Sequence, residues 1–183
     1  MKRILALGSV LGAVWALAPR ANAQVEGALV IVAETGEVTA TYQGNSAAYS
    51  NDLYLDAPAN DLGIIFNNHA DPVGLTKSLG IFNAGEELLF RLHVNNTGDN
   101  FYSGPASRNP DQHAHARVTD NWQPGSTLVE FEDLYNGPFN YNDLSFSFTN
   151  VKLNPPDVPE PGTLGLIVPG LAAPLMALRR RKA

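Results

Sequence analysis

The chain has 183 residues, no cysteine and a formal net charge of −6 at pH 7. The absence of cysteine excludes a disulfide framework, a thiol nucleophile and cysteine-ligated zinc. Residues 24–158 contain 17 acidic and five basic residues, which gives this part a charge of about −12. Such a domain repels the phosphates of nucleic acids, so we expect cations or neutral surfaces such as glycans as partners, and no nucleic acid.

The first 23 residues have the three parts of a secretory signal peptide. Lys2 and Arg3 form a short basic segment, residues 4–18 are apolar, and Ala21 and Ala23 form a small-x-small cleavage site. We expect a signal helix that is removed before Gln24 during export through the inner membrane. The alternative is an uncleaved N-terminal anchor, but the apolar run is short for a span of ~20 residues.

Residues 24–153 are predicted to form a single all-β domain. Short segments rich in β-branched and aromatic residues recur between Gly, Asn, Asp and Pro, and the alternation in residues 88–94 and 144–149 leaves one polar face. Such alternation is typical of antiparallel sheets, and the spacing predicts an antiparallel β-sandwich or jelly-roll-like domain. The predicted strands are residues 28–33, 38–42, 53–55, 62–66, 87–94, 113–119, 127–132 and 144–151.

Two histidines and several aromatic residues are candidates for binding. On a strand, His113 and His115 would face the same side and offer two ligands to a transition metal, with His93, Glu130 or Glu132 as a third. The alternative is a pair of histidines on the polar face of a strand. The rings of Tyr49, Tyr54, Tyr102, Phe101 and Trp122 either stack on sugars or belong to the core.

An acidic segment before the last predicted strand is the main candidate for a metal site. Its side-chain oxygens lie on both sides of the turn at residues 135–138 and belong to Glu132, Asp133, Asn140, Asn142 and Asp143. Oxygen ligands grouped beside a glycine turn suit Ca²⁺, so one interpretation is a calcium site, the only cofactor we expect. The other is a hairpin loop in which these side chains bind backbone groups.

Three segments carry a resemblance to other proteins, namely residues 87–91, 131–134 and 141–148. From about residue 85 to 151 the chain resembles a family of exported bacterial β-domains of unknown function. Members often have an Asp-rich loop before the last strand, where this chain has Pro138 and Asn140, and this lowers the charge of the loop. The resemblance implies a secreted β-domain and assigns no activity.

Catalytic motifs are not found in the sequence. There is no nucleophile elbow, P-loop or Gly-x-Gly-x-x-Gly pattern. The adjacent carboxylates Glu132 and Asp133 would point to opposite faces of a strand. We therefore predict no catalytic residues and no enzyme; the less favoured alternative is an envelope hydrolase that uses Glu132, Asp133 and Asp143.

The last 30 residues divide into a spacer, an apolar segment and a basic end. Residues 154–163 are proline-rich and contain Pro159, Glu160 and Pro161, and residues 164–183 are an apolar run that ends in Arg179-Arg180-Arg181-Lys182. As a helix the 15 apolar residues would span about 22 Å, less than the ~30 Å of hydrocarbon, so they form a weak anchor. The basic end is expected on the cytoplasmic side.

This order of parts resembles the PEP-CTERM sorting signal. In that family an integral-membrane exosortase recognises the Pro-Glu-Pro element and cleaves there. The resemblance implies transient insertion in the inner membrane, loss of the tail, and a location in the cell envelope or outside the cell. It also implies a non-enzymatic structural or interaction role linked to exopolysaccharide or biofilm matrix. The alternatives are a calcium-dependent carbohydrate-binding or adhesive module and, for the tail, a plain membrane anchor.

Overall fold

A computed structural model describes residues 24–154 of the chain. The signal peptide, both predicted flanking helices and the sorting segment lie outside the described residues. So do all the predicted processing residues, which are Ala21, Ala23, Pro159, Glu160, Pro161, Arg179, Arg180 and Arg181.

The described part of the chain is all-β, and its strands pair antiparallel, as the sequence predicts. A single turn of 3-10 helix, Ala106–Arg108, interrupts the strands. The strands are β1 Gln24–Glu26, β2 Leu29–Val32, β3 Gly36–Gly44, β4 Asn51–Ala57, β5 Phe66–Asn67, β6 Thr76–Phe82, β7 Leu89–Val94, β8 Asn100–Tyr102, β9 Ala116–Gln123, β10 Ser126–Phe131, β11 Leu144–Thr149 and β12 Val151–Asn154.

The strands form three sheets. The largest has six strands in the order β1-β9-β10-β11-β3-β6, the second has four in the order β5-β4-β7-β8, and the third pairs β12 with β2. Strand β2 also bonds to the residues just before β7: Val32 N donates to Glu86 O and Leu88 N to Val30 O, both at 2.9 Å. These bonds place β2 between β12 and the start of β7.

One hydrophobic cluster takes residues from all three sheets. The predicted apolar face of residues 88–94 is confirmed, because Leu88, Phe90, Leu92 and Val94 are all fully buried. The ring of Phe90 in the four-stranded sheet lies 4.6 Å from that of Phe148 in the six-stranded sheet. The two larger sheets therefore contact each other through aromatic side chains, and burial of such side chains is a main source of stability.

The predicted strand at residues 144–151 is two strands, and this part of the prediction is wrong. Asn150 lies between β11 and β12 with φ 58°, in the left-handed region that Asn adopts more readily than other non-glycine residues. Its side chain accepts from Glu34 N at 3.0 Å and donates to Glu34 O at 2.9 Å. The chain therefore leaves the six-stranded sheet at Asn150 and enters the two-stranded sheet.

Other differences concern weakly patterned segments. The predicted strand at 62–66 is mainly loop, with Leu62 and Ile64 exposed, and only Phe66 belongs to β5. The sequence pattern does not predict strand β6, whose apolar residues are interrupted by Gly80. Strand β6 lies at the edge of its sheet, and its Ile81 is 80% exposed.

Candidate functional site

Three acidic side chains meet at one end of the β10–β11 pair. Glu132 and Asp133 directly follow β10, and Asp143 directly precedes β11. The antiparallel register places Phe131 opposite Leu144, so the loop at residues 132–143 returns to where it began. The exposed fractions of Glu132, Asp133 and Asp143 are 1%, 4% and 7%, and each has a carboxylate oxygen within 4.8 Å of the others. We call these three residues the acidic cluster.

Backbone amides hold two members of the acidic cluster in place. Glu132 accepts from Leu134 N at 3.2 Å through Oε1 and from Asn140 N at 3.0 Å through Oε2. Asp143 Oδ2 accepts from Asp133 N at 2.9 Å. Side-chain bonds of this kind to nearby backbone amides are expected of a hairpin loop. Glu132 and Asp143 therefore have the contacts that the hairpin interpretation predicts, and they also lie in the group of three carboxylates that the calcium interpretation requires.

A fourth residue reaches the acidic cluster from the other large sheet. Asn51, the first residue of β4, is fully buried, and its Nδ2 donates to Asp133 Oδ2 at 2.8 Å. Its carboxamide oxygen Oδ1 is buried and has no hydrogen-bond partner among residues 24–154. Sequence reasoning missed Asn51, which is 82 residues from Asp133 and belongs to no motif.

Burial and mutual repulsion govern the charge of the acidic cluster. Burial raises the pKa of Asp143 to about 6 against the opposing effect of the Asp133 amide, and the negative charge of Glu132 adds to the rise. Burial also raises the pKa of Asp133; its hydrogen bond from Asn51 opposes the change, and the charge of Asp143 reinforces it. The ionised forms of both carboxyl groups are therefore disfavoured.

Within residues 24–154 no basic side chain forms an ion pair with the acidic cluster. The arginines pair elsewhere: Arg91 with Asp56, Arg108 with Glu87, and Arg117 with Glu130. The basic ring near the cluster is that of His115, whose Nδ1 lies 2.9 Å from the backbone oxygen of Glu132 rather than from a carboxylate of the cluster.

A cleft of about 250 Å³ lies against the acidic cluster. It is lined by Ala48, Tyr49, Asp133, Leu134 and Asp143. Of the aromatic side chains predicted to stack on sugars, Tyr49 is therefore the one placed beside the predicted metal ligands. Two of the three residues of the acidic cluster therefore border the cleft.

The other two predicted calcium ligands are not part of the acidic cluster. Asn140 and Asn142 are both exposed, and Asn140 Oδ1 accepts from Asn142 N at 3.3 Å. The contribution of Asn140 to the site is its backbone amide, which donates to Glu132. Of the five predicted residues, the structure therefore brings together Glu132, Asp133 and Asp143.

The predicted transition-metal site does not form. Strand β9 begins at Ala116, and His113 is exposed while His115 is fully buried, so the prediction that the two histidines share a strand face is wrong. The reason is that His115 packs flat on the ring of Phe101, with 3.7 Å between the ring centres. His93 bonds to Asn100 instead.

Asp111 joins His115 to two loops. Its carboxylate accepts from Asn136 N at 2.9 Å, lies 2.9 Å from His115 Nε2, and accepts from His113 N at 3.1 Å. Burial acts to raise the pKa of Asp111, but the hydrogen bonds from Asn136, His115 and His113 outweigh it and lower the pKa. Asp111 is therefore held as a carboxylate, and its hydrogen bonds join the segment at residues 111–115 to the loop at residues 132–143.

The remaining aromatic candidates have structural contacts. Phe101 is fully buried. Tyr54 is half-buried, and the guanidinium of Arg91 lies 4.2 Å from its ring centre, so one face of this ring is covered. Tyr102 and Trp122 are half-buried.

Comparison with known proteins gives no match to a family model, to a curated protein or to a solved structure. Among residues 24–154, no helix has the length and apolar character needed to cross a membrane.

Proposed function

We propose that the protein is an exported, exosortase-processed component of the cell envelope or extracellular matrix, with a non-enzymatic structural or interaction role associated with exopolysaccharide. The observation that carries this proposal is the order of parts in the sequence: a signal peptide, an acidic β-domain, a Pro-Glu-Pro element, an apolar segment and a basic end. The exosortase is the processing partner, and the inner membrane holds the chain only until cleavage.

We further propose that the β-domain is a β-sandwich with jelly-roll-like strand order. The contact between Phe90 and Phe148 joins the inner faces of the two larger sheets, as expected of packed sheets. The stacked rings of Tyr42, Phe66 and Phe146 support the same arrangement. Such a scaffold presents loops at its ends, where binding surfaces of β-domains commonly lie.

Processing is tested by intact mass of the secreted protein. The wild type should begin at Gln24 and lack the apolar and basic end, whereas Glu160→Gln or Pro161→Ala should retain it. Asp157→Asn, which removes a nearby acid but keeps the Pro-Glu-Pro element, is the matched control and should be processed normally. Normal processing of Glu160→Gln and Pro161→Ala would contradict the proposal.

A second candidate is a calcium-dependent carbohydrate-binding module. The observation that favours it is the cleft in which Tyr49 lies beside Asp133 and Asp143, since sugars stack on aromatic rings and bound Ca²⁺ accepts hydroxyl oxygens. The test is retention on matrix polysaccharide with Ca²⁺ and with chelator. Tyr49→Ala should reduce retention, whereas Tyr135→Ala, an exposed tyrosine that does not line the cleft, should not. Retention that is equal in chelator, or unchanged in Tyr49→Ala, would reject this candidate.

A further inference from the structure

We propose that Glu132, Asp133 and Asp143, together with the carboxamide oxygen of Asn51, form a binding site for one divalent cation of the oxygen-preferring type, with Ca²⁺ as the best fit. The site does not depend on the sorting proposal. It deepens the second candidate function, because it defines the ligands on which calcium-dependent binding would rest.

The first argument concerns negative charge that no ion pair balances. Three carboxylates that are at most 7% exposed lie within 4.8 Å of one another. Buried charges are stable only when a counter-charge or sufficient hydrogen bonds compensate for the loss of water. The arginines at 91, 108 and 117 are paired elsewhere, and among the ion pairs of residues 24–154 none includes a member of the cluster, which is held by hydrogen bonds alone.

The second argument is independent of the carboxylates and concerns Asn51. Buried polar atoms are nearly always hydrogen-bonded, yet the Oδ1 atom of this fully buried residue has no partner within residues 24–154. The nitrogen of the same carboxamide donates to Asp133 Oδ2 at 2.8 Å, so the oxygen without a partner belongs to a side chain that contacts the cluster directly. A cation bound by Asp133 would give this oxygen the partner that it lacks.

Rotation of the amide does not remove the difficulty. With the two atoms exchanged, the Asn51 oxygen would face the Asp133 carboxylate, and the hydrogen bond that Asp133 Oδ2 accepts at 2.8 Å would be lost. The orientation found is therefore the favourable one beside an ionised Asp133, because a carboxylate only accepts hydrogen bonds and an amide oxygen cannot donate one.

The ligand set defines the class of metal. All four side chains offer oxygen, which suits Ca²⁺, Mg²⁺ or Mn²⁺ better than metals that prefer nitrogen or sulfur. Ca²⁺ takes six to eight oxygen ligands in irregular geometry, and water entering from the cleft beside Asp133 and Asp143 can complete the shell. Mg²⁺ requires a near-ideal octahedron, which a set divided between a strand of one sheet and a loop of the other is less suited to provide.

The experiment measures the melting temperature of the secreted protein and the stoichiometry of binding. After treatment with EDTA and buffer exchange, CaCl₂ should raise the melting temperature by on the order of 5–10 °C when the ion is in large excess over its Kd. Isothermal titration with Ca²⁺ should give one ion per chain, and MgCl₂ should give a smaller shift than CaCl₂. A wild type that shows neither a shift nor heat of binding with Ca²⁺, Mg²⁺ or Mn²⁺ would overturn the proposal.

Variants distinguish this site from calcium bound at the surface. Asp143→Asn removes one of the repelling charges, so it should fold in EDTA with an unchanged or higher melting temperature and lose the calcium shift. Asn51→Ala should lower the calcium affinity at least tenfold, whereas Asp61→Asn, which changes an exposed acid outside the cluster, should retain the full shift.

Equal calcium shifts in Asp143→Asn and wild type would overturn the proposal. A wild type that does not respond to calcium but is stabilised by acidification in EDTA would also overturn it, because that result indicates a proton shared between the carboxyl groups. Tail processing and polysaccharide retention are separate measurements, so failure of the cation site can be told apart from failure of either proposed function.

Discussion

The Asp111→Asn substitution should destabilise the β-domain strongly while preserving side-chain size. The side chain of Asp111 is fully buried, and three groups bond to its carboxylate: the amides of His113 and Asn136 and the ring of His115. An asparagine has only one accepting oxygen, so its NH₂ group must face at least one of these donors. Loss of a hydrogen bond to a charged group costs about 1.5–3 kcal/mol, and a donor left buried without an acceptor adds to this. We expect a total loss of about 3–5 kcal/mol, as found when one partner of a buried pair is removed.

Equilibrium unfolding in urea at pH 7 measures this loss, and thermal melting provides a second measure. A loss of this size should lower the melting temperature by on the order of 10 °C in a domain of about 130 residues. The matched control is Asp61→Asn, which removes an exposed carboxylate and should change the free energy of unfolding by less than about 0.5 kcal/mol. A loss below about 1 kcal/mol in Asp111→Asn would refute the assigned role of this carboxylate.

The same substitution has a pH signature whose sign follows from the lowered pKa of Asp111. The unfolded state then binds a proton more readily than the folded state, so the contribution of Asp111 is fully present above its unfolded pKa of about 3.9. That contribution decreases as the pH falls through the lower folded pKa. The difference between wild type and Asp111→Asn should therefore shrink as the pH falls below about 4, and a difference that stays constant as the pH falls further would contradict the account.

The remaining predictions concern the core, the strand junction and the sheet edge. Phe148→Ala should cost about 3–5 kcal/mol in urea unfolding, because it leaves a cavity against Phe90, and a loss below about 1.5 kcal/mol would show that the two sheets do not depend on this contact. Asn150→Ala should lower the free energy of unfolding by about 1 kcal/mol more than Asn150→Gly does. Both variants lose the bonds to Glu34, but only glycine adopts the left-handed backbone without strain. The reverse order would contradict the importance of φ at this residue. The side chain of Ile81 is 80% exposed on an edge strand, so Ile81→Lys should change the free energy of unfolding by less than about 0.5 kcal/mol. The same variant should decrease self-association of concentrated protein, measured by light scattering. Marked unfolding of the variant would show that Ile81 is covered.

The sequence pattern predicts the strands that lie in the middle of sheets. Strand β7 pairs on both sides, and its alternating apolar residues correspond to its buried face. Strand β6 pairs on one side only and contains Gly80, so the burial that produces a regular pattern is weaker there. The division of residues 144–151 depends on the contacts of Asn150 with Glu34, which are 116 residues apart and cannot be deduced from local pattern.

The acidic side of the candidate site was predictable, whereas its other half was not. Glu132, Asp133 and Asp143 belong to one hairpin and are close in the chain, so their grouping follows from the pairing of β10 with β11. Asn51 joins them only because the two large sheets meet, and a single asparagine at the start of a strand has no pattern that indicates it. Asn140 and Asn142 have suitable chemistry, but the turn directs them to the surface.

The pairing of β12 with β2 has a consequence for how the protein is made. Val151 lies opposite Val32 and Asn154 opposite Leu29. Strand β2 therefore cannot pair with β12 until more than 110 further residues of the chain have been made. Contacts so distant in the chain form late and slowly. One edge of β2 therefore stays open until the last residues of the domain are available, and a holding chaperone could bind that edge in the interval.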